Sequence, residues 1–270
     1  MSLPDSIQKT IRYASYFHFP LTVSELHHWL ISPKIYSLDD ISSCSIKINS
    51  VPKVRLRLSE IAKQKEVIAG NAVKIIRQIP SVRLIALTGS VAINNAKATD
   101  DIDLFIITSS HTLWLTRLLV LLLIKPFFKT RSPNVKCKTK NIKYPNSLCF
   151  NLWLDESTLD IPSDRRNLYT AHEVLQAKPL FDRGGAHSRF ILANAWTKDY
   201  LANAYHLTKK SPTSPTLDSR FQILDSLNKI AFKLQRFRKT PHPNELVTLH
   251  AAYFHPRDLS RDLESYIIKP

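Results

Sequence analysis

At 270 residues with 44% hydrophobic side chains, the chain is long enough to bury one full core or two small ones, which excludes a largely disordered protein. Lysine and arginine outnumber aspartate and glutamate by 38 to 22, a formal net charge of +16, which favours polyanionic partners such as nucleic acid or else reflects a generally basic composition. The three cysteines, Cys44, Cys137 and Cys149, lie far apart with no Cys-x-x-Cys pair, so neither a disulfide framework nor a structural zinc is indicated.

Ile7, Ile11, Ala14 and Phe17 recur at helical spacing, predicting a helix that stops at Phe19–Pro20, because proline disfavours a helical residue before it. Thr22 and Glu25 stand as a capping box at the start of a second helix running to about Ile31. Residues 34–52 follow with β-branched stretches such as Ser45-Ile46-Lys47-Ile48. Helix, turn, helix and hairpin is the order of a winged helix, expected over residues 1–52 either as a DNA-binding or as a protein-contact element. No basic region followed by an apolar stretch opens the chain, so secretion is not expected and the cytoplasm is the expected location.

Val54, Leu58, Ile61, Ile68, Ala72, Ile75 and Ile79 keep a spacing of three or four, broken where Lys65 takes an apolar place. They predict a long connecting helix over residues 53–80. Gly70 weakens it by about 1 kcal/mol relative to Ala. Pro80 ends it, and Ser81–Thr88 then reads as a buried strand running straight into Gly89-Ser90, with a helix beginning at once. Such a turn points backbone N–H groups and a hydroxyl at one spot, an arrangement that suits a phosphate.

Ten residues beyond Ser90 comes Asp101-Ile102-Asp103-Leu104, leading a β-branched apolar run. Residues i and i+2 of a strand face the same side. Asp101 and Asp103 therefore project together, and their mutual repulsion calls for a cation, with hard oxygen ligands suiting Mg²⁺ or Mn²⁺.

The apolar run Leu113–Phe128 contains Arg117 and Lys125-Pro126. It falls short of the roughly 20 apolar residues a membrane span needs, so a buried helix and no membrane association are expected. Residues 125–147 read as a basic loop, either guiding a triphosphate or polynucleotide or simply solvated. Leu148–Leu154 is the next strand, with Cys149, Asn151, Trp153 and Asp155 alternating along one face. Thr170–Glu173 reads as another capping box before a short helix through Ala177, with His172 a surface or packing residue, and Phe181–Gly185 as a turn. Helices over Phe190 to about Leu207 and, after a Ser/Pro/Thr linker at Ser211–Thr216, over Phe221–Phe237 complete the pattern.

Gly89-Ser90, a gap of ten and then Asp101-x-Asp103 together resemble the signature of the DNA polymerase β nucleotidyltransferase superfamily. The resemblance implies an α/β (α+β) fold: a mixed sheet with flanking helices over residues 81–185, preceded by the winged-helix-like segment and followed by a C-terminal helical region over residues 186–270. It implies that Gly89 and Ser90 hold the β and γ phosphates of a nucleoside triphosphate, ATP in the first instance. Asp101 and Asp103 would be catalytic, binding Mg²⁺ or Mn²⁺. The superfamily adds a third carboxylate from a later strand. If that position falls on Asn151 the base is lost; if it falls on Asp155 the triad is intact, with Glu156 and Asp160 as further choices. The implied activity is transfer of a nucleoside monophosphate to a hydroxyl acceptor. The alternative is an inactive nucleic-acid-binding regulator that uses the winged helix and the basic surface.

Overall fold

The computed structural model describes residues 2–44, 53–130, 145–210, 224–237, 245–254 and 259–268. Three short helices come first, α1 (Leu3–Tyr16), α2 (Val23–His28) and α3 (Leu38–Ser43). Each begins with a reciprocal capping box, at Ser2 and Asp5, Thr22 and Glu25, and Ser37 and Asp40, so free N–H groups at all three starts are satisfied locally. Ile7, Leu26, Leu30 and Ile41 form their small core. The hairpin expected at Ser45–Ile48 lies outside the described residues.

The long helix α4 (Lys53–Ile76) then leads into β1 (Val82–Leu87), a one-turn helix α5 (Gly89–Ala92), β2 (Ile102–Thr108), α6 (Leu113–Ile124) and β3 (Leu148–Asp155). The remainder is α7 (Leu168–Gln176), β4 (Lys178–Asp182), α8 (Ala186–Ala193), α9 (Ala202–Thr208), α10 (Asp225–Phe237), β5 (Leu246–Val247), β6 (Ala251–Tyr253) and α11 (Ser260–Ile268). The six strands form one mixed sheet in the order β4-β1-β2-β3-β6-β5. Only β2 and β3 are parallel, joined by the crossover that contains α6.

Alternation along the strands divides the core in two. Ile85, Leu87, Ile102, Leu104 and Ile106 pack with α4, α6 and α10 on one face. Leu84, Ala86, Phe105 and Ile107 pack with α1, α7, α8, α9 and α11 on the other. Asp103 shares the parity of Phe105 and Ile107, so it projects toward the face that carries α1 and α7.

Several expectations need correction. Phe181–Gly185 is not a turn throughout: Lys178–Asp182 is an edge strand paired with β1, and Pro179 is tolerated because an edge leaves one side of the strand unpaired. The C-terminal region is not purely helical, since β6 pairs with β3 and carries β5 with it. The cap of α7 is Asn167, whose Oδ1 accepts from the Thr170 N–H at 2.9 Å, so Thr170 lies inside the helix. Gly70 neither bends nor breaks α4. In α6, Leu113, Trp114, Val120 and Ile124 are buried while Leu119, Leu122 and Leu123 are exposed, so only one side is covered. Among the described residues no helix is long and apolar enough to cross a membrane.

His172 and Glu173 sit where α7 meets α1, with the His172 ring stacked on Tyr13 at 3.9 Å between centroids. Burial pushes Glu173 up to about 7 and His172 down to about 3. Glu173 therefore keeps a proton in the folded state that the unfolded chain has already released, and its contribution is lost as pH rises from 4.5 through about 7. His172 acts in the opposite sense, its contribution growing as pH rises from about 3 to 6.5. The two offset each other at mildly acid pH, and above it Glu173 alone remains. The denaturation midpoint is expected to fall between roughly pH 6.5 and 8, and Glu173→Gln to remove that fall. An equally steep fall in the variant would contradict the assignment.

Candidate metal and nucleotide site

The turn between β1 and α5 sets the site. Gly89 adopts φ +63°, and a Cβ there would lie 2.7 Å from Asp103 Oδ2, so both the backbone conformation and the space require glycine. The Gly-Ser turn is thus in direct contact with the second aspartate, although ten residues separate Ser90 from Asp101. Ser90 Oγ donates to Asp100 Oδ2 at 3.0 Å, and the same oxygen accepts the Lys97 N–H at 2.9 Å. Asp100 precedes β2 in irregular backbone, where strand alternation does not govern its direction. It ties the phosphate-type turn to the loop leading to the acidic pair.

That loop has a second anchor in Lys65. Its side chain is buried in α4, and Nζ donates to the Asp100 carbonyl at 2.7 Å, the Ala98 carbonyl at 3.3 Å and Asn146 Oδ1 at 2.8 Å. Burial lowers the Lys65 pKa, with the carboxylates of Asp100 and Asp101 acting against that shift. The lysine that breaks the apolar pattern of α4 is the residue that holds the start of β2.

Asp101 and Asp103 come together as expected, and the neighbour that joins them is Cys149. One ligand atom from each of the three lies within 4.8 Å of the others. Cys149 is opposite Asp103 in the parallel pairing of β2 and β3. The register then slips: Leu104 pairs with Phe150 and Phe105 with Leu152, leaving Asn151 as the extra residue of a bulge. Asn151 is buried, its Nδ2 donates to Asp103 Oδ1 at 2.7 Å, and its Oδ1 has no partner among the described residues.

The expectation for Asp155 is not met by the geometry. Asp155 pairs with Thr108, five residues along β2 from Asp103, a displacement of about 16 Å at the usual strand rise. Its fully buried carboxylate accepts from the His111 N–H at 3.0 Å and meets His250 Nδ1 at 2.8 Å, and it also bonds the Ser157 N–H and hydroxyl. Asp155 clamps the far end of the sheet. Glu156 is likewise engaged there, with Arg83 and Arg189, and Asp160 faces Arg166.

Two carboxylates, an amide oxygen lacking a donor and a thiol form a donor set that fits a divalent cation. The orphaned, buried Asn151 Oδ1 is the observation that carries this fit, because a buried acceptor without a partner is costly unless something else satisfies it. The carboxylates suit Mg²⁺ or Mn²⁺, and the thiol shifts the preference toward the softer of the two.

Residues 69–143 match the family model of the nucleotidyltransferase domain. The match contains Gly89, Ser90, Asp101 and Asp103 and stops before β3, so it covers the turn and the acidic pair but not Cys149 or Asn151. A search of the curated proteins finds no match to this chain. A nucleotidyltransferase domain supports transferase activity in general, and the mixed sheet with its flanking helices agrees with it.

Proposed function

We propose that the protein transfers a nucleoside monophosphate from a nucleoside triphosphate, ATP in the first instance, to a hydroxyl acceptor in a reaction dependent on Mg²⁺ or Mn²⁺. The contact between Gly89 and Asp103 carries the reading. It sets a turn rich in N–H donors against the carboxylate pair, the arrangement needed to hold a phosphate chain beside a cation. Gly89 and Ser90 would hold the distal phosphates, and Asp101 and Asp103 would hold the cation, with Asn151 Oδ1 and Cys149 completing its surroundings. When bound, the cation supplies charge stabilisation at the phosphate under attack and orients the acceptor oxygen. Ser90 keeps its orientation through Asp100, and Asn151 fixes the Asp103 carboxylate. The proposal is tested by incubating the protein with each α-³²P-labelled triphosphate, either cation and total RNA, cell extract or no acceptor. Label transferred by the native protein and not by an Asp101→Ala, Asp103→Ala variant supports it, and no transfer under any of these conditions counts against it.

A second reading, a nucleotide-binding regulator without transfer, draws on one observation: an amide, Asn151, stands beside Asp103 where a third carboxylate is expected. In that reading, nucleic acid would be held by the basic surface. Asn151→Asp separates the two readings. Transfer that rises by about tenfold or more over a near-silent native protein would mark the amide as a lost base. Native activity that falls on the same substitution would mark Asn151 as the working residue.

A further inference from the structure

Beside the Gly89-Ser90 turn lies a cavity of about 360 Å³, roofed by α1 and floored by α7. Its volume is at the small end of the range for ligand pockets, about 300–1,000 Å³, enough for one flat ring system and little more. Gly89, Ser90 and Asp100 line one end. Aromatic rings dominate the rest: Tyr13, Phe17, Trp29 and Tyr169. Phe17 and Tyr169 lie nearly parallel, 22° apart at 6.4 Å, and Tyr13 and His172 are stacked at 17°. Parallel faces of this kind receive another flat ring.

Two polar side chains from α7 interrupt this apolar wall. His172 is 2% exposed, and neither ring nitrogen has a hydrogen-bond partner among the described residues. Glu173 also lines the cavity. A purely apolar ligand would leave both unsatisfied, and an anion would meet a carboxyl group in a low-dielectric wall. A flat, uncharged ring with donors and acceptors on its edge satisfies both, because a neutral imidazole offers one donor and one acceptor.

From these observations we infer that the cavity binds a nucleobase, stacked among the α1 and α7 aromatics and recognised at its edge by His172 and Glu173. The inference rests on the transferase reading for its link to phosphates at Gly89 and Ser90, but the cavity makes its own prediction. Burial keeps both His172 and Glu173 uncharged over much of the neutral range, consistent with an uncharged ring. The base belongs either to the donor triphosphate or to a nucleoside-containing acceptor, and the two share this chemistry.

The test titrates free adenosine, guanosine, cytidine and uridine into the full chain by calorimetry in metal-free buffer. Tripolyphosphate with Mn²⁺ is titrated separately. At least one nucleoside is expected to bind, and His172→Phe and Glu173→Leu are each expected to weaken it by about tenfold while leaving tripolyphosphate binding unchanged. Two substitutions keep the test open if one variant fails to fold. Absence of nucleoside binding to the native protein, or binding that both folded variants retain in full, overturns the inference even where tripolyphosphate and Mn²⁺ bind. Nucleoside binding without tripolyphosphate binding leaves the cavity assigned and counts against the transferase reading instead. Competition with a non-hydrolysable triphosphate assigns the base to the donor, and simultaneous binding assigns it to the acceptor.

Discussion

Asp103→Asn is expected to lower metal-dependent transfer by about a thousandfold or more, since a ligand of the cation and its charge are lost at once. The effect should exceed that of any other single change at the site, because Asp103 stands at its centre. It touches the Gly89 turn, accepts from Asn151 and shares its ligand cluster with Asp101 and Cys149. The substitution keeps the shape of the side chain, so the melting temperature of the metal-free protein should change little. Single-turnover transfer and Mn²⁺ titration monitored by calorimetry check both expectations. Full transfer with weakened Mn²⁺ binding would show that the cation is held mainly by other groups.

Lys65→Met carries the largest expected cost in stability, about 3 kcal/mol. Methionine fits the apolar surroundings but donates nothing, leaving the carbonyls of Ala98 and Asp100 and the amide oxygen of Asn146 without the ammonium. For a chain of this size that corresponds to a fall in melting temperature of roughly 6–12 °C. Because the released loop carries Asp100 and Asp101, transfer should fall as well. The two losses are separable by assaying well below the melting transition. A variant as stable as the native protein would mean that water replaces the ammonium at no cost.

What the sequence discloses follows from the range over which each signal acts. Capping at Thr22 and Glu25 is local, and the structure reproduces it. The strand into Gly89-Ser90 and the strand of Asp103 are long and apolar enough to read directly. Lys178–Asp182, Leu246–Val247 and Ala251–Tyr253 are too short, or too interrupted by Pro179, to show a period of their own, and only pairing makes them strands. Alternation correctly gives the face on which Asp155 lies but carries no information on how far along the neighbouring strand it falls. Only the register places it opposite Thr108. The bulge that presents Asn151 has no sequence signature, and neither does the use of Lys65. In α4 a buried lysine looks like a flaw until its acceptors, Ala98, Asp100 and Asn146, arrive from elsewhere in the chain.

The position of β6 between β3 and β5 bears on how the molecule is made. During synthesis β1, β2 and β3 leave the ribosome long before the segment that covers the outer side of β3, so a nascent chain exposes unpaired N–H and C=O groups on the strand that carries Cys149 and Asn151. Such an open edge is a template for pairing with other chains. The last stretch of the protein therefore acts as an intramolecular guard for the candidate site, and the site's strand is sealed only when translation is almost finished.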